Sequence, residues 1–591
     1  MTIHLSIVIF LPLVVTLIGC LAGPRIARWF GVGGAAAVLA YTIVMLADFE
    51  AGGGLQYITD DNWISELGVR WSLGADGLNL FLIALTALLW LVAALAATLE
   101  GPFKVTERPR LFYFNLALAE TSVLGAFCAQ DLALFVVFFD LMLVPFYFLI
   151  GAWGSGDRVR ATTRFVIYTL VGSLLMLAGA IALGVLSTPE GGEISFSLAE
   201  LEQRSLGEGT QQWIFLLFAA AFVVKAPLFP FHGWVPATYR ATSIPVLVVL
   251  SAVLSKVGVY GFLRIVLPIL PDASVHFQDL MLVLAVVSIL YGGVLAFSQL
   301  EARLVLAYSS IAQMGFIVLG IFALDGKGSE GAVVQMVAHG LVTAPAFLIA
   351  GFLAVRAGGS DLLERMGGAA FRAPVLAGLF LIVALATLAM PGSPNFVGEI
   401  LILYGTFEDR LVYGLVASAG VVFASIYGIR LFQRTMHNRV REGLESRDVG
   451  VRELATLVPL VAVIVAFGVY PQFVLERTEE TTGKQIEAAA KIARGEDQSA
   501  VAPAPGAVPE GGAPPGAVPQ GAPPGAVPPG AVPQGAPPGA VPEGAVPQGA
   551  PPPTGAPPGA PPDGVAPEGA APPPGAGQAP PGVQIQPGGR P

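Results

Sequence analysis

The sequence predicts an all-α polytopic membrane protein of about 14 transmembrane helices, followed by a disordered tail rich in Pro, Gly and Ala. Apolar runs of bilayer length recur through residues 1–475, and the charges cluster between those runs. After Gln498 the composition narrows to Gly, Ala, Val and Pro. Of 591 residues 54% are hydrophobic and only 12% are charged. That is about half the charge of an ordinary soluble domain, so a soluble core is excluded.

Spans of about 20 residues start near Ile3, Phe30, Leu78, Leu111, Leu132, Thr163, Trp213, Val246, Phe277, Ala302, Ala332, Ala373, Leu411 and Leu454. The first has no basic leader and no small-residue cleavage site, so it reads as a membrane helix and not as a signal peptide. Residues 1–110 hold the N-terminal helices and an outer hairpin-like loop, 111–267 and 268–436 are two repeats, 437–475 carries the last membrane helix, and 476–591 is the tail.

Arginine and lysine settle the orientation. Arg25 and Arg28, then Lys104, Arg108 and Arg110, then Arg158, Arg160 and Arg164 occupy alternate short loops. Arg240, Arg303, Arg356 with Arg365, and the cluster from Arg430 to Arg447 keep the register. The loops between them, such as Asp60 to Glu66 and Glu190 to Glu208, are acidic or nearly neutral. By the positive-inside rule both termini, and with them the tail, face outward, as an even number of spans requires. In a bacterial cell this is a multi-pass protein of the inner (cytoplasmic) membrane.

The tail repeats have almost no charge and no aromatic residue, so they bury no core and read as a partly polyproline II extension. Their glycine spacing drifts between four and five residues, which a collagen triple helix does not tolerate. Cys20 and Cys128 lie far apart in apolar surroundings, which argues against a metal site or a disulfide framework. No basic stripe suggests a nucleic-acid partner; the surrounding medium is the lipid bilayer.

Four ionisable residues lie inside apolar runs: Asp140, Lys225, Lys256 and Glu399. Facing lipid they would together cost roughly 10–14 kcal/mol, so they must face the bundle interior, each other or water. Pro227 and Pro230 break the helix just after Lys225, and Pro391 and Pro394 interrupt the run just before Glu399. With helices four to eight as one unit and nine to thirteen as the next, each break falls in the fourth helix of its unit. Five is odd, so the units are inverted with respect to each other, and paired broken helices in inverted halves point to a transport site.

Each residue has a structural alternative. Lys225 and Asp140 would be a poor purely structural pair, because a buried ion pair adds little net stability. Lys256 has apolar residues from Val257 to Leu263 after it and no short route to the interface. Glu399 competes with a simple cap of a re-entrant helix. His339 has a side chain able to pass a proton in either direction near neutral pH, with a hydrogen-bonded core histidine as the alternative. His232 is expected to be interfacial and to shape proton uptake. Ser309, Ser310 and Gln313 are possible relays, with helix-packing serines as the competing reading.

The runs Asp140-Leu141-Met142-Leu143-Val144-Pro145-Phe146-Tyr147, Val224-Lys225-Ala226-Pro227-Leu228-Phe229-Pro230-Phe231-His232-Gly233-Trp234, Tyr308-Ser309-Ser310 and Phe396-Val397-Gly398-Glu399 resemble the antiporter-like subunit M (subunit 4) of respiratory complex I, NADH-quinone oxidoreductase. The resemblance runs from the first span to about Tyr470. It implies a fourteen-helix fold with two inverted five-helix, antiporter-like repeats and a role as a proton-translocating subunit among neighbouring antiporter-like membrane subunits. NADH, FMN, iron–sulfur clusters and quinone are expected on other subunits, with no cofactor or metal held here. The resemblance also implies a charge pair between Asp140 and Lys225, an axis through Lys256 and His339, and an outward exit at Glu399.

The implied mechanism is a gate. Asp140 turned toward Lys225 favours the ammonium; turned away, it leaves burial to favour the neutral amine, and the proton moves on. Two departures from the family pattern bear on this. Asp140 stands where glutamate is usual, one methylene short of the usual reach to Lys225, and Gln313, which cannot titrate, stands where histidine is common. A subunit of a sodium/proton antiporter or of an energy-conserving hydrogenase, and a non-pumping assembly scaffold, are the competing functions.

Overall fold

The computed structural model describes residues 4–496 apart from 100, 441–443 and 446; the repeat-rich tail lies outside the described residues. The chain opens with α1 (Leu5–Ala22) and α2 (Pro24–Asp48). An antiparallel hairpin of β1 (Gln56–Ile64) and β2 (Val69–Ala75) follows, paired from Gln56 opposite Ala75 to Ile64 opposite Val69 with register shifts between Gln56 and Thr59 and between Asn62 and Ile64. Gly68, at φ 66°, turns the chain between the strands, a conformation that glycine adopts without strain. Asp131 ties the hairpin down: its carboxylate accepts from Arg70 N and caps Leu134 N.

Next come α3 (Leu80–Thr98), α4 (Pro109–Cys128), α5 (Leu132–Leu141), α6 (Leu143–Trp153) and α7 (Arg158–Leu186). The seventh span is α8 (Glu208–Lys225), and the eighth, α9 (Ile244–Ile269), is wholly buried. Then follow α10 (Gln278–Ser298), α11 (Ala302–Phe322) and the 31-residue α12 (Gly326–Arg356), whose apolar central stretch is also buried. After them come α13 (Pro374–Thr387), α14 (Pro394–Asp409), α15 (Leu411–Met436) and α16 (Val451–Val469).

Among the described residues twelve helices are long and apolar enough to cross a membrane, or thirteen if Leu363–Arg372 and Pro374–Thr387, bent by 117°, count as one span. The shortfall from fourteen has a local cause. The twelfth span is cut into α13, of 14 residues, and α14, of 16. At 1.5 Å per residue these reach about 21 and 24 Å, less than the hydrocarbon thickness. The seventh span stops at Lys225 and carries a polar first turn from Glu208 to Gln212.

One boundary needs correction. The sequence places the start of the disordered tail at 476, but a final helix, α17 (Gln472–Ala493), continues past that boundary. Its apolar stripe, Val474, Thr478, Ile486 and Ala490, is buried, and its charges lie on the other face. Phe473 meets Phe81 edge-on at 5.8 Å, and Lys327 bonds Glu479 at 2.9 Å, which docks the helix on α3 and α12. The charged exposed face makes this segment read as polar from sequence, although its 3.6-residue period is that of a packed helix.

Candidate functional site

Lys225 is the last residue of α8, and its surroundings show how a membrane helix can stop in apolar territory. Pro227 and Pro230 prevent the ladder from continuing. The freed groups are satisfied one by one. Trp234 Nε1 donates to Val224 O at 3.0 Å, Leu228 N donates to Val223 O at 3.0 Å, and Phe229 N donates to Ser288 Oγ at 2.9 Å. The chain then resumes as the short helices Phe231–Trp234 and Val235–Ala241. Gly258 of α9 makes this close approach possible: a Cβ there would stand 2.8 Å from Phe222 O and 3.1 Å from Lys225 Cβ.

The expected charge pair is not formed. Among the described residues no ion pair within 4.0 Å joins Asp140 to Lys225. The ammonium instead donates to Phe139 O at 3.4 Å and sits 4.1 Å from the centre of the Phe139 ring, a cation–π contact. Asp140, half-buried beside Ser173, has an Oδ1 that is buried without a hydrogen-bond partner. The lysine is thus left to a carbonyl and a ring.

Lys256 and His339 are in direct contact, Nζ to Nδ1 at 2.7 Å, and Lys256 also donates to Ser251 O at 3.4 Å. Two π-helical stretches, Leu250–Leu254 and Phe262–Val266, flank Lys256 within α9. Such widened turns occur preferentially at functional sites, and nothing in residue type announces them.

Glu399 belongs to a second polar chain. Gln313 Nε2 donates to Glu399 Oε1 at 2.8 Å, and Gln335 Nε2 donates to Gln313 Oε1 at 2.7 Å. Glu399 Oε2 and Gln335 Oε1 are buried without partners. Glu399 sits in the second turn of α14, which Pro394 opens and Ser393 caps by accepting from Phe396 N; Pro391 lies in the turn before it. Gly398 brings α14 against α12, since a Cβ there would fall 2.3 Å from Gln335 Oε1 and 2.9 Å from Gln335 Cα. Gln335 was missed from sequence, although it lies four residues before His339 and therefore on the same face of α12.

The other candidates are placed differently. Ser309 donates to Tyr427 Oη at 2.8 Å, while Ser310 bonds back to Leu306 O at 3.0 Å, a packing arrangement. His232 is buried within the protein: its ring lies between Phe229 and Tyr291, at 5.8 and 4.9 Å, and its Nδ1 has no partner. Sequence reasoning also passed over Glu120, buried in α4 with Oε1 unpartnered, and the pair of Arg264 with Asp76.

Among the described residues no group of three or more His, Cys, Asp or Glu side chains is arranged to hold a metal. Cys20 and Cys128 cannot supply the four thiolates of an iron–sulfur cluster, so the donor set does not fit one.

A family model described as NADH:quinone oxidoreductase/Mrp antiporter, TM, matches residues 129–425. NADH-quinone oxidoreductase subunit M of Mycobacterium tuberculosis is 37% identical over 488 residues, covering 76% of this chain and 88% of that protein. Its namesake from Escherichia coli K12 is 35% identical over 432 residues, covering 72% and 84%. A chain in the structure of respiratory complex I from Thermus thermophilus with bound NADH superposes with a TM-score of 0.76 at 31% identity, over 82% of this chain and 100% of that one. The Mrp complex from Dietzia shares the fold, with a TM-score of 0.72 at 20% identity. Sequence and scaffold agree over most of the chain, which belongs to the antiporter-like subunit M family of NADH-quinone oxidoreductases.

Proposed function

We propose that this chain moves protons along Lys225, Lys256, His339 and Glu399, as the proton-translocating membrane subunit of an NADH-quinone oxidoreductase. Gln335 and Gln313 carry the link between His339 and Glu399. The observation that carries this reading is the hydrogen-bonded series Gln335, Gln313, Glu399, which begins one helical turn from the Lys256–His339 contact inside a bundle of apolar helices. Amides do not titrate, so protons cross that link with water bound to the unpartnered oxygens of Gln335 and Glu399.

Asp140 acts as a movable counter-charge. Turned toward Lys225 it stabilises the ammonium; turned toward Ser173 it leaves only the Phe139 carbonyl and ring to offset the burial of that charge, so the proton is held less firmly. The electron carriers, NADH, FMN, iron–sulfur clusters and quinone, are assigned to other subunits, and this chain does no redox chemistry. Neighbouring antiporter-like subunits supply the field that drives each stroke. The charge pattern supports a bacterial inner membrane with both termini outside.

The test is NADH-driven proton pumping in membrane vesicles carrying Lys225→Ala in the assembled complex. Pumping is expected to fall at least tenfold while the complex remains intact on native gels. Undiminished pumping overturns the reading.

A further inference from the structure

Span twelve breaks between α13 and α14 in a tight turn, with Ala389 at φ 51° and Gly392 at φ 91°. Within it Met390 N donates to Leu385 O at 3.1 Å and Ser393 N donates to Met390 O at 2.9 Å. These bonds close the turn, but a short joint between two helices is a hinge unless its neighbours hold it. The direction of α14, and with it the position of Glu399, therefore depends on what packs around the joint. Gly398 supplies one hold through its approach to Gln335. A second comes from α16, which contributes no group to the polar path.

Near its end α16 presses on the joint itself. Gly468 packs so closely that a Cβ there would overlap Gly392 O and stand 2.9 Å from Gly392 C and 3.1 Å from Ser393 Cα. All three are backbone atoms, so no side chain can rotate away to make room. Ser393 is also the residue that caps α14, accepting from Phe396 N. The backbone of α16 thus meets the cap of the helix whose second turn carries Glu399.

The opposite end of α16 is anchored. Arg356, the last residue of α12, and Glu453, in the first turn of α16, are both buried and pair in bidentate fashion, Nη2 to Oε2 at 2.9 Å and Nη1 to Oε1 at 3.3 Å. Two parallel bonds between planar groups fix orientation as well as distance. The same guanidinium donates to Arg447 O at 2.8 Å and to Asp448 O at 3.2 Å. Asp448, held in this way, caps α13: its carboxylate accepts from Val375 N at 2.9 Å and from Leu376 N at 3.1 Å. From Val451 to Gly468 α16 rises about 26 Å, against about 21 Å for α13, so one continuous helix runs from the start of α13 to the break behind it.

We infer that α16 is a strut that sets the position of Glu399, with Gly468 as the positioning residue at the break and the Arg356–Glu453 pair as the anchor. Because α12 also carries Gln335 and His339, the anchor refers the Glu399 helix to the helix at the other end of the polar link. The strut serves pumping only if protons pass Glu399 as proposed above; its geometry stands on the contacts at Gly392 and Val375.

The test is Gly468→Ala in the intact complex, read by electron cryomicroscopy and by infrared spectroscopy of the Glu399 carboxyl group, whose band is identified by its loss in Glu399→Gln. The separation of Gln313 Nε2 from Glu399 Oε1 is expected to lengthen from 2.8 Å to beyond 3.5 Å, and the band to shift as that hydrogen bond is lost. Gly378→Ala, on α13 itself, places its Cβ in open space and should leave both as in wild type. An unchanged separation with an unmoved band in Gly468→Ala overturns the proposal. An equal disturbance in Gly378→Ala would mean that any change in span twelve displaces Glu399, and overturns it too. Should Gly468→Ala fail to assemble, Asp448→Ala, which releases the start of α13, is read by the same band, and an unmoved band there is equally fatal. Pumping by Glu399→Gln in vesicles tests the proton path separately: undiminished pumping overturns that path, whereas the strut is decided by the band and the separation.

Discussion

Lys256 Nζ lies 2.7 Å from His339 Nδ1, with both side chains buried and π-helical turns on either side of the lysine. A protonated lysine has donors only, so the imidazole accepts at Nδ1 and holds its own proton on Nε2. On the proposed proton path the pair would act as a unit: what leaves Nζ enters Nδ1, and Nε2 releases another on the far side of the ring. Removing either member should lower proton pumping in vesicles at least tenfold. Because they act together, the double variant Lys256→Met/His339→Ala should be no worse than the worse single one. Losses that multiply would show two independent groups.

Gln313 is the only side chain that touches both Gln335 and Glu399 in the hydrogen bonds among the described residues. Gln313→Leu keeps much of the volume but strands the Glu399 carboxylate, so pumping should drop at least tenfold. Gln313→His restores a group able to bond to the carboxylate and to titrate, and should retain most of the wild-type rate. Equal loss in both variants would show that shape, not hydrogen bonding, matters at this position.

Asp140 forms no ion pair with Lys225 within 4.0 Å. Asp140→Glu adds one bond of about 1.5 Å and should bring the carboxylate within ion-pair distance of Lys225 Nζ. A structure of that variant checks the geometry. Pumping measured alongside should be equal to wild type or higher, and Asp140→Ala should reduce it several-fold.

Much of this architecture was legible because membranes write simple rules into sequence. Apolar runs, buried prolines and the alternation of Arg25, Lys104, Arg158 and Arg240 between loops follow from the cost of unsatisfied backbone and of charge in hydrocarbon. Lys225, Lys256 and Glu399 stood out for the same reason. The rest depends on contact. Gln335 looks like any polar residue until Gln313 lies against it, and the stop at Lys225 shows that a break will occur but not that Trp234 and Ser288 will absorb it. The π-helical turns of α9 and the two-sided character of α17 arise from packing partners far away in sequence. The missing Asp140–Lys225 contact depends on which way a single carboxylate turns, below the resolution of a pattern argument.

Gly258 and Gly398 each hold a broken helix close to its neighbour. A Cβ at Gly258 would meet backbone, Phe222 O at 2.8 Å, and cannot be relieved by turning a side chain. Gly258→Ala should therefore push α8 away from α9, cost about 1–3 kcal/mol in stability and lower pumping. Thermal unfolding in detergent reads the first and vesicle assays the second. A variant of unchanged stability with normal pumping would show that the helices adjust freely there.

Arg264 and Asp76 form a buried charge pair, with Nη2 at 2.6 Å from each carboxylate oxygen, while Arg264 Nε donates to Tyr260 Oη at 3.0 Å. Tyr260 in turn donates to Phe127 O, and Asn79 donates to the same carbonyl, so the pair ties α9 to the start of α3 and the end of α4. Lone removal of Asp76 would leave a buried guanidinium without its counter-charge and should cost about 3–5 kcal/mol. Arg264 lies two helical turns beyond Lys256 on α9, so the pair is either a brace for the π-helical turns or a further station for charge. The double replacement Asp76→Leu/Arg264→Met separates the two roles. For a brace, apolar packing of similar volume should return stability to within about 1 kcal/mol of wild type and leave pumping within twofold. A stable double variant that no longer pumps would instead place Arg264 and Asp76 among the groups that move charge.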